Sequence, residues 1–158
     1  MQLEFINGII QNVVEYLPKL QLKGRENRAR QKLLKKVTEK FQELYSDFQE
    51  IKSEHPDDMS KQNEELKTLL QEQVTIDMTE YAHLMAPLYD ALMDYPHEID
   101  TERETNLDAN GNQIASRPSD ATIHDYIIDV LEAAVEVDDS DNESQIDGVE
   151  DAQYQEVE

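Results

Sequence analysis

The fold of this chain is decided by the stretch LKKVTEKFQELYSDFQEI, which spans residues 34–51. Its apolar side chains recur at alternating intervals of three and four residues, at Leu34, Val37, Phe41, Leu44, Phe48 and Ile51. This spacing places them along one side of an α-helix, which we expect from about residue 25 to residue 54. The stripe covers roughly two and a half heptads, too few for a long coiled coil. The pattern therefore predicts one long helix that packs along a partner helix.

A second helix is expected directly after the first. Pro56 ends the first helix because proline cannot continue one. Ser60 can cap a second helix that runs to about Gln73 and carries three leucines on one face. Two helices joined by a short break predict a long antiparallel helical hairpin.

Two further amphipathic helices are predicted downstream. One runs from Thr79 to Tyr95, with a kink expected from Pro87. The other starts at Ser119, a good N-cap, and ends near Val137. Its apolar positions follow helical spacing, at Ile123, Tyr126, Ile127, Val130, Leu131 and Ala134. A shorter helical pattern over residues 9–17 stops at Pro18.

Short strand patterns predict a small β patch. Residues 2–6 read as extended, and residues 74–78 have the β-branched alternation of a strand, so we expect the two to pair. Asn110-Gly111, between Leu107 and Ile114, is typical of a hairpin tip. The fold class is therefore mainly α, with a small β component.

The charge of the chain is strongly uneven. Its 158 residues carry a net charge of −22, divided as +2 over residues 1–55, −10 over 56–117 and −14 over 118–158. Residues 138–158 contain nine acids, no Lys or Arg and few apolar side chains. Such a segment cannot bury enough surface to offset its ordering entropy. We therefore expect a single helical domain over residues 1–137 and a disordered acidic tail over residues 138–158.

The residues show no pattern for catalysis or cofactor binding. The chain has no Cys and only four Gly, and its four His are scattered without helical pairing. Asp108–Asn112 resembles the start of a calcium loop, but glycine stands fourth instead of sixth and Ser119 replaces the closing glutamate. We predict no enzyme, and no catalytic, cofactor-binding or metal-binding residues.

Basic side chains gather on one face of the first long helix. The members of this basic face are Arg25, Arg28, Lys32, Lys35 and Lys36. They could follow nucleic-acid phosphates, but the negative field of the whole protein opposes association and no aromatic side chains interleave to stack bases. A solvated face that attracts acidic segments of the same or another copy is the simpler interpretation. Arg30 projects to the apolar side instead, where Glu26 can pair with it.

The acidic half of the chain allows a different interpretation. Residues 56–158 carry −24 and can present spaced carboxylates as duplex DNA presents phosphates. The candidate partner-binding residues are therefore the basic face and the start of the acidic tail, at Asp138, Asp139 and Asp141.

Three segments near the N-terminus resemble a known family. LEFING (residues 3–8), LQLKGRENRAR (20–30) and KLL (32–34) resemble a family of uncharacterised phage and prophage proteins of Gram-positive bacteria. The resemblance implies a phage-encoded protein, often from the late region around tail and lysis genes. It implies no activity and no catalytic residues.

Taken together, these observations predict a non-enzymatic phage accessory protein that binds another protein in virion or tail-region assembly, or in a related late function. Its expected partner is a phage structural protein. The alternative is an acidic DNA mimic that inhibits a host nucleic-acid-binding defence or processing protein. Met1–Glu4 lacks the basic start of a signal peptide and no apolar run is long enough for a membrane span, so we expect a cytoplasmic protein of the bacterial host. The phage resemblance implies virion association as an alternative. Direct nucleic-acid binding and membrane association are not expected, and homo-oligomerisation stays open.

Overall fold

Five helices and two small antiparallel sheets make up the part of the chain that the structure, a computed structural model, describes: residues 1–107 and 109–137. The helices are α1 (Asn7–Tyr16), α2 (Gly24–Glu54), α3 (Met59–Gln71), α4 (Ala82–Met93) and α5 (residues 120–137). The strands are β1 (Gln2–Ile6), β2 (Gln73–Asp77), β3 (Thr105–Leu107) and β4 (Gln113–Ser116). The predicted mainly α class is confirmed. The predicted disordered tail, residues 138–158, lies outside the described residues.

The long helical hairpin is formed by α2 and α3. The bounds of α2 match the prediction closely, and the helix ends shortly before Pro56. The cap of α3 differs from the prediction, because the Asp58 carboxylate accepts from the Lys61 amide while Ser60 lies inside the helix. An aspartate one residue before the helix can reach a free first-turn amide, which Ser60 cannot do from within it.

The buried side of α2 is rotated from the predicted stripe. Its buried residues are Ala29, Leu33, Val37 and Leu44, whereas Leu34 and Phe41 are only half-buried. The cause is that α2 packs against both α1 and α4 as well as α3. The flanking helices bring Ala29 and Leu33 into the core, whereas the heptad pattern assumed a single partner helix.

The predicted β patch is present as an antiparallel pair of β1 and β2. Leu3 faces Ile76 and Phe5 faces Val74 across the pair. The side chains of β1 alternate strictly between buried and exposed, so Leu3 and Phe5 enter the core while Gln2, Glu4 and Ile6 face outwards. This alternation fixes the register, because a slip by one residue would expose both core side chains.

The helix predicted from residue 79 to residue 95 is shorter in the structure. Thr79–Tyr81 forms a separate 3₁₀ turn, and α4 covers Ala82–Met93 with Pro87 inside it. Pro96 explains the early end, because a residue before proline is pushed out of helical geometry.

Helix α5 begins as predicted. The Ser119 hydroxyl accepts a hydrogen bond of 3.2 Å from the Thr122 amide, which caps the first turn. Further along α5, His124 is 4% exposed and lies between two partners. Its Nε2 lies 2.8 Å from the Leu92 carbonyl and its Nδ1 lies 2.8 Å from the Tyr16 hydroxyl. Nε2–H therefore donates to the carbonyl and Nδ1 accepts from the phenol, so this buried triad joins α1, α4 and α5.

The predicted hairpin around Asn110-Gly111 is also present. Strands β3 and β4 pair antiparallel, with a register irregularity next to Leu107. Gly111 has a φ of +83°, a conformation that glycine adopts without steric cost. Among the residues described, no helix combines the length and apolar character needed to cross a membrane.

Candidate protein-binding groove

An open groove separates the outer edge of β1 from α5, and we refer to it as the β1–α5 groove. It encloses about 510 Å³. Its aliphatic and phenyl side chains come from β1 with the preceding Met1 and from α5: Met1, Phe5, Ile6, Val130, Ala133, Ala134 and Val137. From Tyr126 to Val137, α5 extends about 16 Å at 1.5 Å per residue, which matches the length of the five-residue strand beside it. The groove therefore has the dimensions of a short extended peptide.

The backbone of β1 presents an open edge to this groove. The Met78 amide donates to the Met1 carbonyl and the Asn7 amide donates to the Glu72 carbonyl, both at 2.9 Å. The odd-numbered residues of β1 therefore exchange hydrogen bonds with β2. In an antiparallel pair the intervening residues direct both their N–H and C=O groups to the opposite side. For β1 these residues are Gln2, Glu4 and Ile6.

Tyr126 closes one end of that edge. Its hydroxyl accepts a hydrogen bond of 2.9 Å from the Ile6 amide, and its ring packs at 6.1 Å from the ring of Phe5. Burial raises the pKa of the Tyr126 phenol, although the hydrogen bond from Ile6 acts in the opposite direction. Because the Ile6 amide already has this hydrogen-bond acceptor, the open edge of β1 consists of the backbone N–H and C=O groups of Gln2 and Glu4.

The rim of the groove is acidic. Glu4 contributes a carboxylate from β1 and Asp129 contributes one from α5, and none of the described residues that line the groove is Lys or Arg. The ammonium of Met1, at the end of the groove, donates to the Thr79 hydroxyl at 3.3 Å. Asp129 belongs to an acidic ridge on the exposed side of α5, whose members are Asp125, Asp129, Glu132 and Glu136. Their intervals of four, three and four residues keep them on one helix face. The groove consequently favours an apolar ligand that also carries positive charge.

The structure divides the predicted basic face of α2 into two groups. Arg25 donates to the His83 carbonyl at 3.2 Å, and Lys32 lies 5.2 Å from the centre of the Tyr81 ring. Lys36 is half-buried; hydrogen bonds from Thr79 mainly cause the lowering of the Asp77 pKa, and the charge of Lys36 adds a small part to it. Only Arg28 and Lys35 are exposed without a contact of this kind in the described part of the chain. Of the five members of the basic face, Arg25 thus joins α2 to α4, and Lys32 joins α2 to the Thr79–Tyr81 turn.

Arg30 has the structural role that its position predicted, but Glu26 is not its partner. Its guanidinium donates to the carbonyls of Leu20, at 2.8 Å, and Pro18, and also to the Asn27 side chain. Arg30 therefore fastens the turn between α1 and α2. The predicted tail residues Asp138, Asp139 and Asp141 lie outside the described residues.

Two other polar clusters are better explained as structural contacts. Glu54, His55 and Glu65 bring potential ligand atoms within 4.8 Å of one another. The two carboxylates are exposed, and His55 Nε2 lies 3.0 Å from Glu65, which ties the ends of the α2–α3 turn together. Arg117 lies 3.3 Å from Glu15 beside a cavity of only about 80 Å³.

The groove could not be recognised from the sequence. Its two walls lie about 120 residues apart, and the unpaired polar groups on its β1 side belong to the backbone, which leaves no residue signature. The helical spacing of Val130 and Ala134 is visible in the sequence, but it predicts only an amphipathic helix and no groove. The comparisons with known proteins add no further indication, since no family model, curated protein or solved structure matches the chain.

Proposed function

We propose that this is a non-enzymatic phage accessory protein that binds another protein in virion or tail-region assembly, and that the β1–α5 groove is its contact surface. The observation that carries the proposal is an apolar groove of about 510 Å³ that lies beside unpaired strand backbone. When a partner covers water-exposed apolar surface, the free energy of the complex falls by roughly 25 cal/mol per Å² of apolar surface buried. Unpaired strand edges are also common attachment points for other chains.

The phage origin rests on the resemblance of residues 3–8, 20–30 and 32–34. The first of these segments includes most of β1, so residues that carry the resemblance also form one wall of the groove. The other two segments, residues 20–30 and 32–34, cover the start of α2 and part of the turn before it, which Arg30 stabilises. The expected partner is a phage structural protein, and its contact segment is positively charged, because the groove rim is acidic.

Deletion of the gene from the phage tests the assembly role. Reduced particle yield, or particles that lack one structural protein, would support it. Normal yield and composition would overturn it.

Site-specific photocrosslinking tests the surface. A photoreactive amino acid at Val137, in the groove, is expected to capture one defined phage protein during infection. The matched control is the same amino acid at Met59, an equally exposed position at the start of α3: the two side chains are 64% and 65% exposed. Capture of the same protein from both positions would contradict a specific groove contact.

A second function is favoured by the acidic ridge of α5. Its carboxylates repeat along the helix axis at about 6, 4.5 and 6 Å, as follows from a rise of 1.5 Å per residue. Evenly spaced exposed charges of this kind could occupy the basic groove of a host DNA-binding protein. This inhibitor hypothesis requires the purified chain to displace DNA from such a protein, with an effect that weakens as salt is added. If the purified chain retains no host DNA-binding protein at low salt, the inhibitor hypothesis is refuted.

A further inference from the structure

We propose that the partner binds the β1–α5 groove by strand addition: an extended segment pairs antiparallel with the open edge of β1 and carries Lys or Arg between apolar residues. This inference rests on the proposed protein-binding function and specifies how that binding is achieved. It assigns the backbone of Gln2 and Glu4 as the recognition edge.

The hydrogen bonds available to the segment follow from the β1–β2 register. Gln2 and Glu4 each direct one N–H and one C=O away from β2, and no described residue pairs with these four groups. Ile6 cannot take part, because its amide already donates to the Tyr126 hydroxyl at 2.9 Å. An antiparallel segment can therefore form four backbone hydrogen bonds, two opposite each free residue.

The side chains of the segment are specified by the same geometry. A residue directly opposite Glu4 points to the same face of the sheet as Glu4, where its side chain meets an exposed carboxylate. Lys or Arg fits that position. The residues on either side of it point to the face of Leu3 and Phe5, towards the apolar lining that Val130 and Ala134 contribute. The recognised pattern is thus apolar, basic, apolar.

Charge and steric arguments favour a partner over the protein's own chain. Residues 138–158 contain no Lys or Arg, so this segment would add negative charge beside Glu4 and Asp129. A second copy would have to approach with its own β1, but α5 lies along the open edge of that strand in every copy. Contact between two such edges would bring the two α5 helices and their acidic ridges towards each other. Both alternatives remain outcomes of the experiment.

The first experiment measures the binding of model peptides to the full-length protein. A blocked peptide of alternating valine and lysine is expected to bind more tightly than one of alternating valine and glutamate. Glu4→Lys is expected to weaken the lysine peptide about fivefold, as reversal of a cross-strand ion pair implies. The control Glu39→Lys makes the same charge change on the exposed side of α2 and should change affinity less than about twofold. Equal effects of the two variants would overturn the assigned position.

N-methylation of the peptide separates strand pairing from simple charge attraction. In the proposed pairing the lysine amides face Glu4 and Gln2, whereas the valine amides point away. Methylation of the lysine amides should abolish binding, and methylation of the valine amides should preserve it. Unchanged binding of the lysine-methylated peptide would overturn strand addition.

Amide hydrogen exchange identifies the occupant of the edge. The Gln2 and Glu4 amides should exchange rapidly in the free protein and about tenfold more slowly with the lysine peptide bound. Protection in the free protein at every concentration would mean that the chain's own segment covers the edge. Protection that grows with protein concentration would mean a second copy. Either result overturns the proposal.

The inference and the proposed function fail in different ways. If a phage protein is captured at Val137 but Glu4→Lys leaves that capture unchanged, groove binding stands and the strand-addition inference fails. If the peptide behaves as described but phage without the gene assemble normally, the edge is a peptide-binding site and the assembly function fails.

Discussion

The guanidinium of Arg25 donates a hydrogen bond to the backbone carbonyl of His83, the one carbonyl of α4 that Pro87 leaves without its helical donor. In an α-helix this carbonyl accepts from the amide four residues later, and proline has no amide hydrogen. The 3.2 Å contact thus substitutes a side chain of α2 for a missing backbone bond of α4. A residue that the sequence assigned to partner binding thereby joins two helices of the core.

We expect Arg25→Met to lower the free energy of unfolding by about 0.5–1.5 kcal/mol, because a hydrogen bond between α2 and α4 is lost. Urea denaturation measures the loss. The control Arg28→Met, on the exposed side of the same helix, should change the midpoint little. In a Pro87→Ala background, where the new backbone amide can bond the His83 carbonyl, loss of Arg25 should cost less. An undiminished cost there would show that Arg25 stabilises the fold in another way.

Tyr16→Phe is expected to destabilise the protein by about 1–3 kcal/mol, since it leaves Nδ1 of the buried His124 without a hydrogen-bond donor. The phenol pKa of Tyr16 is raised strongly by burial and further by the nearby Tyr95 and carboxylates, which agrees with an enclosed position. Urea denaturation of Tyr16→Phe and of the exposed Tyr45→Phe makes the comparison. Equal midpoints for the two variants would refute the role of this hydrogen bond.

The stability of the protein should fall at acidic pH partly through Asp77. The Thr79 hydroxyl and amide donate to its carboxylate at 2.5 and 2.9 Å, and these hydrogen bonds lower the pKa of Asp77. A lowered pKa in the folded state adds stability above the unfolded-state pKa, and this stability is lost as the pH falls below about 4.

Asp77→Asn should therefore reduce the slope of the unfolding free energy against pH between about pH 4 and pH 2. The control is Asp57→Asn, at an exposed turn residue, which should leave this slope unchanged. Denaturation midpoints at a series of pH values measure both slopes. A slope for Asp77→Asn that matches the wild type would contradict the assignment.

Gly8→Ala should destabilise the fold by about 1 kcal/mol, despite the helix propensity that alanine adds. A Cβ at residue 8 would lie 3.1 Å from the Leu70 carbonyl oxygen. That region of α3 cannot readily retreat, because Asn7 holds it through hydrogen bonds to the Leu69 and Glu72 carbonyls. Thermal denaturation against Gln11→Ala, an exposed position of the same helix, provides the comparison. A rise in melting temperature for Gly8→Ala would show that α3 yields.

The sequence predicts this fold well where the signal is periodic and less well where packing decides. The bounds of α2, the N-cap of α5 at Ser119 and the β1–β2 pair all follow from residue type and spacing. The exact buried side of α2 does not, because Leu33 and Leu34 are adjacent and equally apolar. Which of them enters the core depends on where α1 and α4 lie, and this is a property of the whole fold.

The candidate groove is harder to predict from the sequence than the fold, and the physical reason is different. Arg25 and Arg30 both bond backbone carbonyls, which every residue possesses, so the sequence cannot name their partners. The open edge at Gln2 and Glu4 is likewise made of main-chain groups. Side-chain patterns therefore located the charged surfaces but could not distinguish a solvated arginine from one that supports a helix.

The pairing of β1 with β2 also has a consequence during synthesis. Leu3 meets Ile76, so the first strand of the chain has no partner until more than seventy residues have been translated. The α2–α3 hairpin between them needs only local contacts, which form faster than distant ones. We therefore expect the hairpin to form on the ribosome first, and β1 to remain an unpaired, chaperone-accessible segment until β2 emerges.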